Sequence, residues 1–258
     1  MIKLKTLEEI KILREGGKIL AEILQQLGNL VKPGINTAEL EQKAIELIKK
    51  AGGVPAFKGY RQSKNSQPFP TALCTSINEE IVHAPAKPGR FLEQGDIISL
   101  DIGMKYKNLF TDTAITVPVG DVEADTAKLI KTTEQCLELA IKKVKPGNTL
   151  YDIARAIQIN AEANGFNVVR ELVGHGVGYA VHEEPQVPNY DVEEEDLSDI
   201  KLESGLVIAI EPMVTKGDWQ VTTGKNDFSF ITKDKSLAAH FEHTVAVTDD
   251  GHVVITES

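Results

Sequence analysis

The sequence predicts one α+β domain assembled from two similar halves, and three observations carry that prediction. A segment recurs, a helical pattern precedes each copy, and β-rich stretches follow each copy. The copies are VKPGINTAELEQKAIELIKKAGG, Val31 to Gly53, and VKPGNTLYDIARAIQINAEANGF, Val144 to Phe166. Each begins Val-Lys-Pro-Gly, continues to Asn-Thr and enters a helical pattern that stops at glycine. Agreement in turn, helix and order, at an offset of about 112 residues, argues for duplicated halves of about 1–122 and 123–258 packed as one domain.

The elements follow in order. Thr6-x-x-Glu9 opens the first helix, whose apolar stripe is Ile10, Leu13, Leu20, Ile23, Leu24 and Leu27. Asn36 with Glu39, and Thr149 with Asp152, stand at capping-box spacing, and Gly52 and Gly165 are placed to cap the C-termini. A further helix is expected from about Ala124 to Val144, with Leu129, Ile130, Cys136, Leu137, Leu139, Ala140 and Ile141 as its apolar residues. Ile97 to Val119 reads as a hairpin around Lys105–Asn108. A turn centred between Tyr106 and Lys107 pairs Asp101 directly with Asp112. Leu206 to Val214 reads as one buried strand carrying Glu211, and His240 to Val247 as another carrying Glu242.

Bulk properties narrow the function. A formal charge of −10 argues against nucleic acid as the main partner, which calls for basic surface. The basic group Lys3, Lys5, Lys11, Arg14 and Lys18 reads as a solvated helix face. Two cysteines, Cys74 and Cys136, are too few for a disulfide framework in a chain of 258 residues. Charges recur from Lys3 to Arg14, which excludes a signal-peptide core there, and no run approaches the ~18 apolar residues of a membrane span. These features point to a reduced, soluble, cytosolic protein with no membrane association.

The chemistry sits in acids placed where acids are costly. Aspartate is depleted in strands, and like charges side by side destabilise a sheet. Asp101 and Asp112 therefore call for a divalent cation, unless both lie on an exposed edge. Glu211 and Glu242 lie in almost wholly apolar runs, where an ionised carboxylate must be paired, metal-bound or neutralised. His175 stands among Gly174, Gly176 and Gly178, a sign of close backbone approach. Seven residues on, His182 would face the other way along a straight strand, so a bend is needed for both to address one cavity. His83 follows an apolar pair, His240 and His243 flank Glu242 as undecided neighbours, and His252 reads as structural. Four carboxylates and one imidazole are oxygen-rich for structural zinc and suit two adjacent divalent ions of the Mn, Fe, Co or Zn kind. Such a pair, ~3.5–4 Å apart, acidifies a shared water to hydroxide near neutral pH, which is hydrolase chemistry.

The ordered motifs SINEEIVHA, SLDIG, TDTA, GHGVG, HEEPQVPNY, IEPM and FEHT resemble the type I methionine aminopeptidases of the pita-bread fold over essentially the whole chain. The resemblance implies an α+β pita-bread architecture, with a curved antiparallel sheet and helices on its outer face. It implies metal ligands Asp101, Asp112, His175, Glu211 and Glu242. By the same similarity His83 would contact the scissile peptide, His182 the developing oxyanion, and Glu211 would take the proton of the attacking water. Walls for the methionine side chain would be Phe57, Tyr60, Phe69, Cys74, Val181 and Phe228. Several positions depart from the best-known bacterial pattern: Phe57 for cysteine, Val181 for phenylalanine, Phe228 for tryptophan, Gly103 for threonine and Ala84 for glycine. The segment Arg61 to Gln67 is an insertion near the pocket mouth. The activity implied is removal of the N-terminal Met from nascent polypeptides with a small second residue, by a monomer; transient contact with the ribosome would suit that substrate, although this acidic chain carries no motif for it. Proline-specific relatives usually carry a separate N-terminal domain, type II enzymes insert a segment between the last two glutamates, and catalytically dead scaffolds lose ligands. Each of these readings fits the sequence less well.

Overall fold

The structure, a computed structural model, describes residues 2–61, 63–191 and 200–258. The first part of the chain forms α1 (Leu7–Gly28), α2 (Thr37–Lys50), β1 (Val54–Pro55), β2 (Leu73–Ile77), β3 (Glu80–Val82), β4 (Ile97–Tyr106) and β5 (Leu109–Pro118). Next come α3 (Ala124–Ile141), α4 (Leu150–Ala163), β6 (Asn167–Val168), β7 (Gly174–Gly176) and β8 (Glu183–Val187). The remainder is β9 (Val207–Ile210), β10 (Met213–Thr215), β11 (Val221–Thr223), β12 (Phe230–Thr232), β13 (Ala238–His240), β14 (Glu242–Thr248) and β15 (Gly251–Val254). Among the described residues no helix is long and apolar enough to cross a membrane.

Side-chain caps start three helices at the expected residues. Thr6 and Glu9 take each other's backbone N–H groups at the head of α1; at α2 Asn36 Oδ1 accepts from Ala38 N and Glu39 from Asn36 N, and at α4 Asp152 accepts from Thr149 N. Gly52 and Gly165 end α2 and α4 with φ of 77° and 84°, a conformation that favours glycine. The α1 stripe is buried throughout. α3 stops at Ile141, short of the expected Val144, and Leu139 faces solvent rather than the core.

The main sheet is antiparallel and runs β1-β4-β5-β14-β9-β7-β8, with β2 also on β4 and β15 also on β14. Two three-stranded sheets, β13-β10-β6 and β11-β12-β3, flank it. In β4 the period-two alternation is clean. Ile98, Leu100, Ile102 and Met104 pack with α1 and α2, which leaves Ser99, Asp101 and Gly103 on the opposite face. A second core joins α3 and α4 to β9 and β14 through Leu129, Ile157, Ile208 and Val245.

Four expectations are corrected. The β4–β5 turn is Lys107–Asn108, both with positive φ (46° and 71°), so the register pairs Asp101 with Ala114 and Asp112 with Gly103. The aspartates are diagonal rather than opposed; a slip of two positions keeps both on one face. Leu206–Val214 is two strands in two different sheets, broken at Glu211-Pro212, because Pro212 has no N–H for the ladder and restricts the residue before it. His240–Val247 breaks likewise at Phe241. Finally, Lys5 is not on a solvated face: it is 4% exposed and ion-paired with Glu183.

Candidate metal centre and cavity

The two strand breaks and the hairpin have one consequence. Five adjacent positions of the sheet, β4, β5, β14, β9 and β7, each deliver one chemically distinctive side chain to the same face. Asp101 lies on β4 and Asp112 on β5; Glu242 opens β14 opposite Ala114, itself opposite Asp101. Glu211 follows Ile210, which stands opposite His243, and His175 on β7 stands opposite Ala209. One ligand atom each from Asp112, His175 and Glu242 lie within 4.8 Å of one another, and His175 Nε2 is 3.5 Å from Glu211 Oε1. All four carboxylates are buried.

This donor set fits a divalent cation by its unmet needs. Asp101 Oδ1 and Glu242 Oε1 are buried without a hydrogen-bond partner among the described residues. Burial first, and then the neighbouring carboxylates, push Asp112 and Glu242 well above the usual carboxyl range, and burial lifts Glu211 to about 8. His175 is oriented as a ligand would be. Its Nδ1 is 2.9 Å from the Gly176 carbonyl, which can only accept, so the proton is on Nδ1 and the Nε2 lone pair faces Glu211. Burial holds this ring neutral, far below the ordinary imidazole range.

Beside the acids opens a cavity of about 850 Å³, wide enough for a short peptide end. Phe57, Tyr60, Phe69, Cys74 and Phe228 line it. Val181 does not reach the lining and packs in the same apolar cluster as Phe57 and Cys74. Burial and the nearby aspartates keep the Cys74 thiol protonated, so it offers a soft, uncharged wall. Of the Arg61–Gln67 insertion, Ser66 and Gln67 border the cavity, and Gln62 lies outside the described residues.

Both expected histidines reach the cavity. The bend between His175 and His182 is made by a register shift after His175 and the turn leading into β8, and it brings the rings to 4.4 Å, edge to face. His182 Nδ1 is 2.8 Å from the Tyr60 hydroxyl. His83 takes φ +61° after β3, and its ring packs edge-on against Phe230 at 5.8 Å. Burial keeps His83 and His182 on the neutral side of imidazole titration. His240 and His243, alike in sequence, part company. His243 Nδ1 is 3.0 Å from Thr256 Oγ1, whereas His240 is turned toward Glu211. Sequence reasoning missed Met213 and Phe230 as lining residues. Phe230 joins the wall only because β12 pairs with β3, and no local pattern signals that pairing.

A model of metallopeptidase family M24 matches residues 11–249. The chain belongs to that family. Among its relatives, this M24 peptidase is 44% identical to methionine aminopeptidase 1 of Bacillus subtilis over 257 residues, covering 99% of both. It is 43% identical to a methionine aminopeptidase of Clostridium acetobutylicum over 256 residues, again covering 99% of both. The crystal structure of methionine aminopeptidase from Thermotoga maritima superposes with a TM-score of 0.94 at 39% identity, each chain covering 100% of the other. The M24 chain thus has the pita-bread fold, and its buried donor cluster serves divalent metal.

Proposed function

We propose that this chain is a methionine aminopeptidase that hydrolyses the first peptide bond of Met-X chains, with X small, using two divalent ions of the Co, Mn, Fe or Zn kind. The observation that carries the reading is the junction of an oxygen-rich cluster with an apolar cavity, supported by relatives of that name along the whole chain. Asp101, Asp112, His175, Glu211 and Glu242 would hold the ions. When bound, such a pair supplies an acidified water and stabilises developing negative charge.

The protein's own groups do the rest. Glu211, whose proton affinity burial raises, takes the water's proton and carries it toward the leaving amine. With the Tyr60 hydroxyl donating to His182 Nδ1, the ring proton resides on Nε2, available to the carbonyl oxygen as it gains charge. His83, which also lines the cavity, contacts the scissile peptide. Phe57, Tyr60, Phe69, Cys74 and Phe228 enclose the methionine side chain and exclude water, with Val181 packed behind Phe57 and Cys74. We read the chain as one catalytic domain of two duplicated halves, 1–122 and 123–258, acting as a cytosolic monomer on polypeptides emerging from the ribosome. The matching caps of α2 and α4 support the duplication.

The test is release of the N-terminal residue from Met-Ala-Ser, Leu-Ala-Ser and Ala-Pro-Ser by protein stripped of metal and given Mn²⁺, Co²⁺, Fe²⁺ or Zn²⁺ separately. Metal-dependent release from the Met peptide alone is expected. Preference for Ala-Pro-Ser would move the enzyme to the proline-specific branch, and silence with every metal would sink the peptidase reading.

A further inference from the structure

We propose that His240 is the positioning residue of Glu211, giving its Nε2 proton to Glu211 Oε2 and so fixing which carboxylate oxygen faces the metal. The inference rests on the metallopeptidase reading and deepens it. Its starting point is an unmet need: the His240 side chain is 1% exposed, and among the described residues neither ring nitrogen has a hydrogen-bond partner. A neutral imidazole has one N–H to give and one lone pair to fill, and a buried polar group with neither met is rare in native proteins.

The surroundings decide which nitrogen is used. Glu211 is flanked by an imidazole at each oxygen, His175 Nε2 at 3.5 Å from Oε1 and His240 Nε2 at 3.6 Å from Oε2. The two flanks differ. His175 has committed its proton to the Gly176 carbonyl, so on that side its Nε2 lone pair faces the lone pairs of an ionised Oε1, an arrangement that a bound cation satisfies. His240 has no such commitment, so its Nε2 is free to carry the proton and close the last few tenths of an ångström onto Oε2. Oε1 then belongs to the metal side and Oε2 to His240. Hydrogen bonds to ligating carboxylates are the usual means of orienting them.

The backbone holds both partners in place. His240 N donates to Thr116 Oγ1, and that hydroxyl donates to His240 O, each at 2.8 Å. Asn189 Nδ2 donates to Glu211 O at 3.0 Å. The strand breaks at Phe241 and Pro212 set the contact up: His240 ends β13 opposite Met213, beside the corner where Glu211 sits.

The experiment compares wild type with His240→Leu, which keeps bulk without a donor, and His240→Gln, which restores an N–H. Metal-free proteins are titrated with Mn²⁺ by calorimetry, melted by circular dichroism and assayed on Met-Ala-Ser at saturating Mn²⁺. His240→Leu should bind Mn²⁺ about 10- to 100-fold more weakly, with kcat reduced and KM little changed, while its metal-free melting temperature is no lower than wild type. His240→Gln should recover most of the affinity and kcat. Wild-type affinity in His240→Leu would overturn the proposal. So would loss of one bound ion from the stoichiometry in both variants, which would make His240 a ligand itself. If His240→Leu does not fold, His240→Ala against His240→Gln gives the same comparison. Wild-type protein that binds Mn²⁺ yet releases no Met would sink the aminopeptidase reading while leaving the affinity comparison intact.

Discussion

A Cβ built on Gly103 would lie 2.7 Å from Phe57 Cε1 and 3.1 Å from both its Cζ and Ala56 Cβ. Gly103 stands opposite Asp112 and two positions from Asp101, so the direction its side chain would take is the metal-side face of β4. Phe57 occupies that space, and the backbone bond from Ala56 N to Gly103 O, 2.9 Å, holds the two segments together. Phenylalanine for cysteine at 57 and glycine for threonine at 103, two separate departures in the sequence, thus become one compensated exchange: the ring fits because the side chain is absent. Gly103→Thr should destabilise by about 1–3 kcal/mol through overpacking, and Phe57→Ala by about 3–5 kcal/mol through the cavity left behind. The double variant should be more stable than the sum of the two by about 0.5–3 kcal/mol, because the threonine fills the vacated space. Urea denaturation of all four proteins measures this coupling, and strict additivity would show that the two sites do not share volume.

Elements are legible where their signals are local. Capping pairs, terminal glycines and the apolar stripe of α1 locate the helices, and alternation along β4 places Asp101 on the polar face. The hairpin register is less legible, because it depends on which two residues make the turn, and Lys107–Asn108 take positive φ one residue beyond the expected centre. The strand breaks are signalled in part, since Pro212 is visible, but Phe241 carries no such mark. Least legible are groups whose partners are remote in sequence. Glu41, on α2, is buried and accepts the backbone N–H groups of Ala72 and Leu73, so a helix carboxylate fixes the start of the strand that carries Cys74. Lys5 pairs with Glu183, stands 5.0 Å from the ring centre of Tyr179, and ties the segment ahead of α1 to the turn bearing Val181 and His182. Removing one member of such a buried pair costs about 3–5 kcal/mol, much of it from the stranded charge. Lys5→Met should therefore lower stability by that order and reduce kcat on Met-Ala-Ser without changing metal content. Adding Glu183→Gln should recover part of the stability by removing the stranded charge. A Lys5→Met protein as stable and active as wild type would show that the pair holds nothing in place.

At the scale of the whole molecule, the donor cluster makes folding and metal binding one problem, because so many titratable groups are buried together. In the metal-free chain burial lifts Asp101 to about 6 and Glu211 to about 8, with Asp112 and Glu242 also well raised. Each of these groups keeps its proton in the folded state at pH values where the unfolded chain has lost it. The stability so gained is present in full below the ordinary carboxyl range and is lost as pH rises through the raised values. The imidazoles act with the opposite sign. Burial lowers His83, His182 and His240 to about 4 and His175 to about 3, so their contribution is complete above the ordinary value of 6.5 and is lost as pH falls below it. Below 6.5 the two sets oppose each other; above it only the acids titrate. The chelator-treated protein should accordingly lose stability from about pH 6.5 to 8.5, with Glu211's share of the slope greatest at the lower end and fading as the group titrates in the folded state near 8. With Mn²⁺ bound, the cation holds the carboxylates ionised, so the decline should vanish and binding should release protons. Melting temperatures of both forms across that range, with calorimetry in buffers of different ionisation enthalpy, test the linkage. A melting temperature that stays level or rises with pH in the metal-free protein would mean that the acids are already ionised, and that something other than a bound cation compensates their burial.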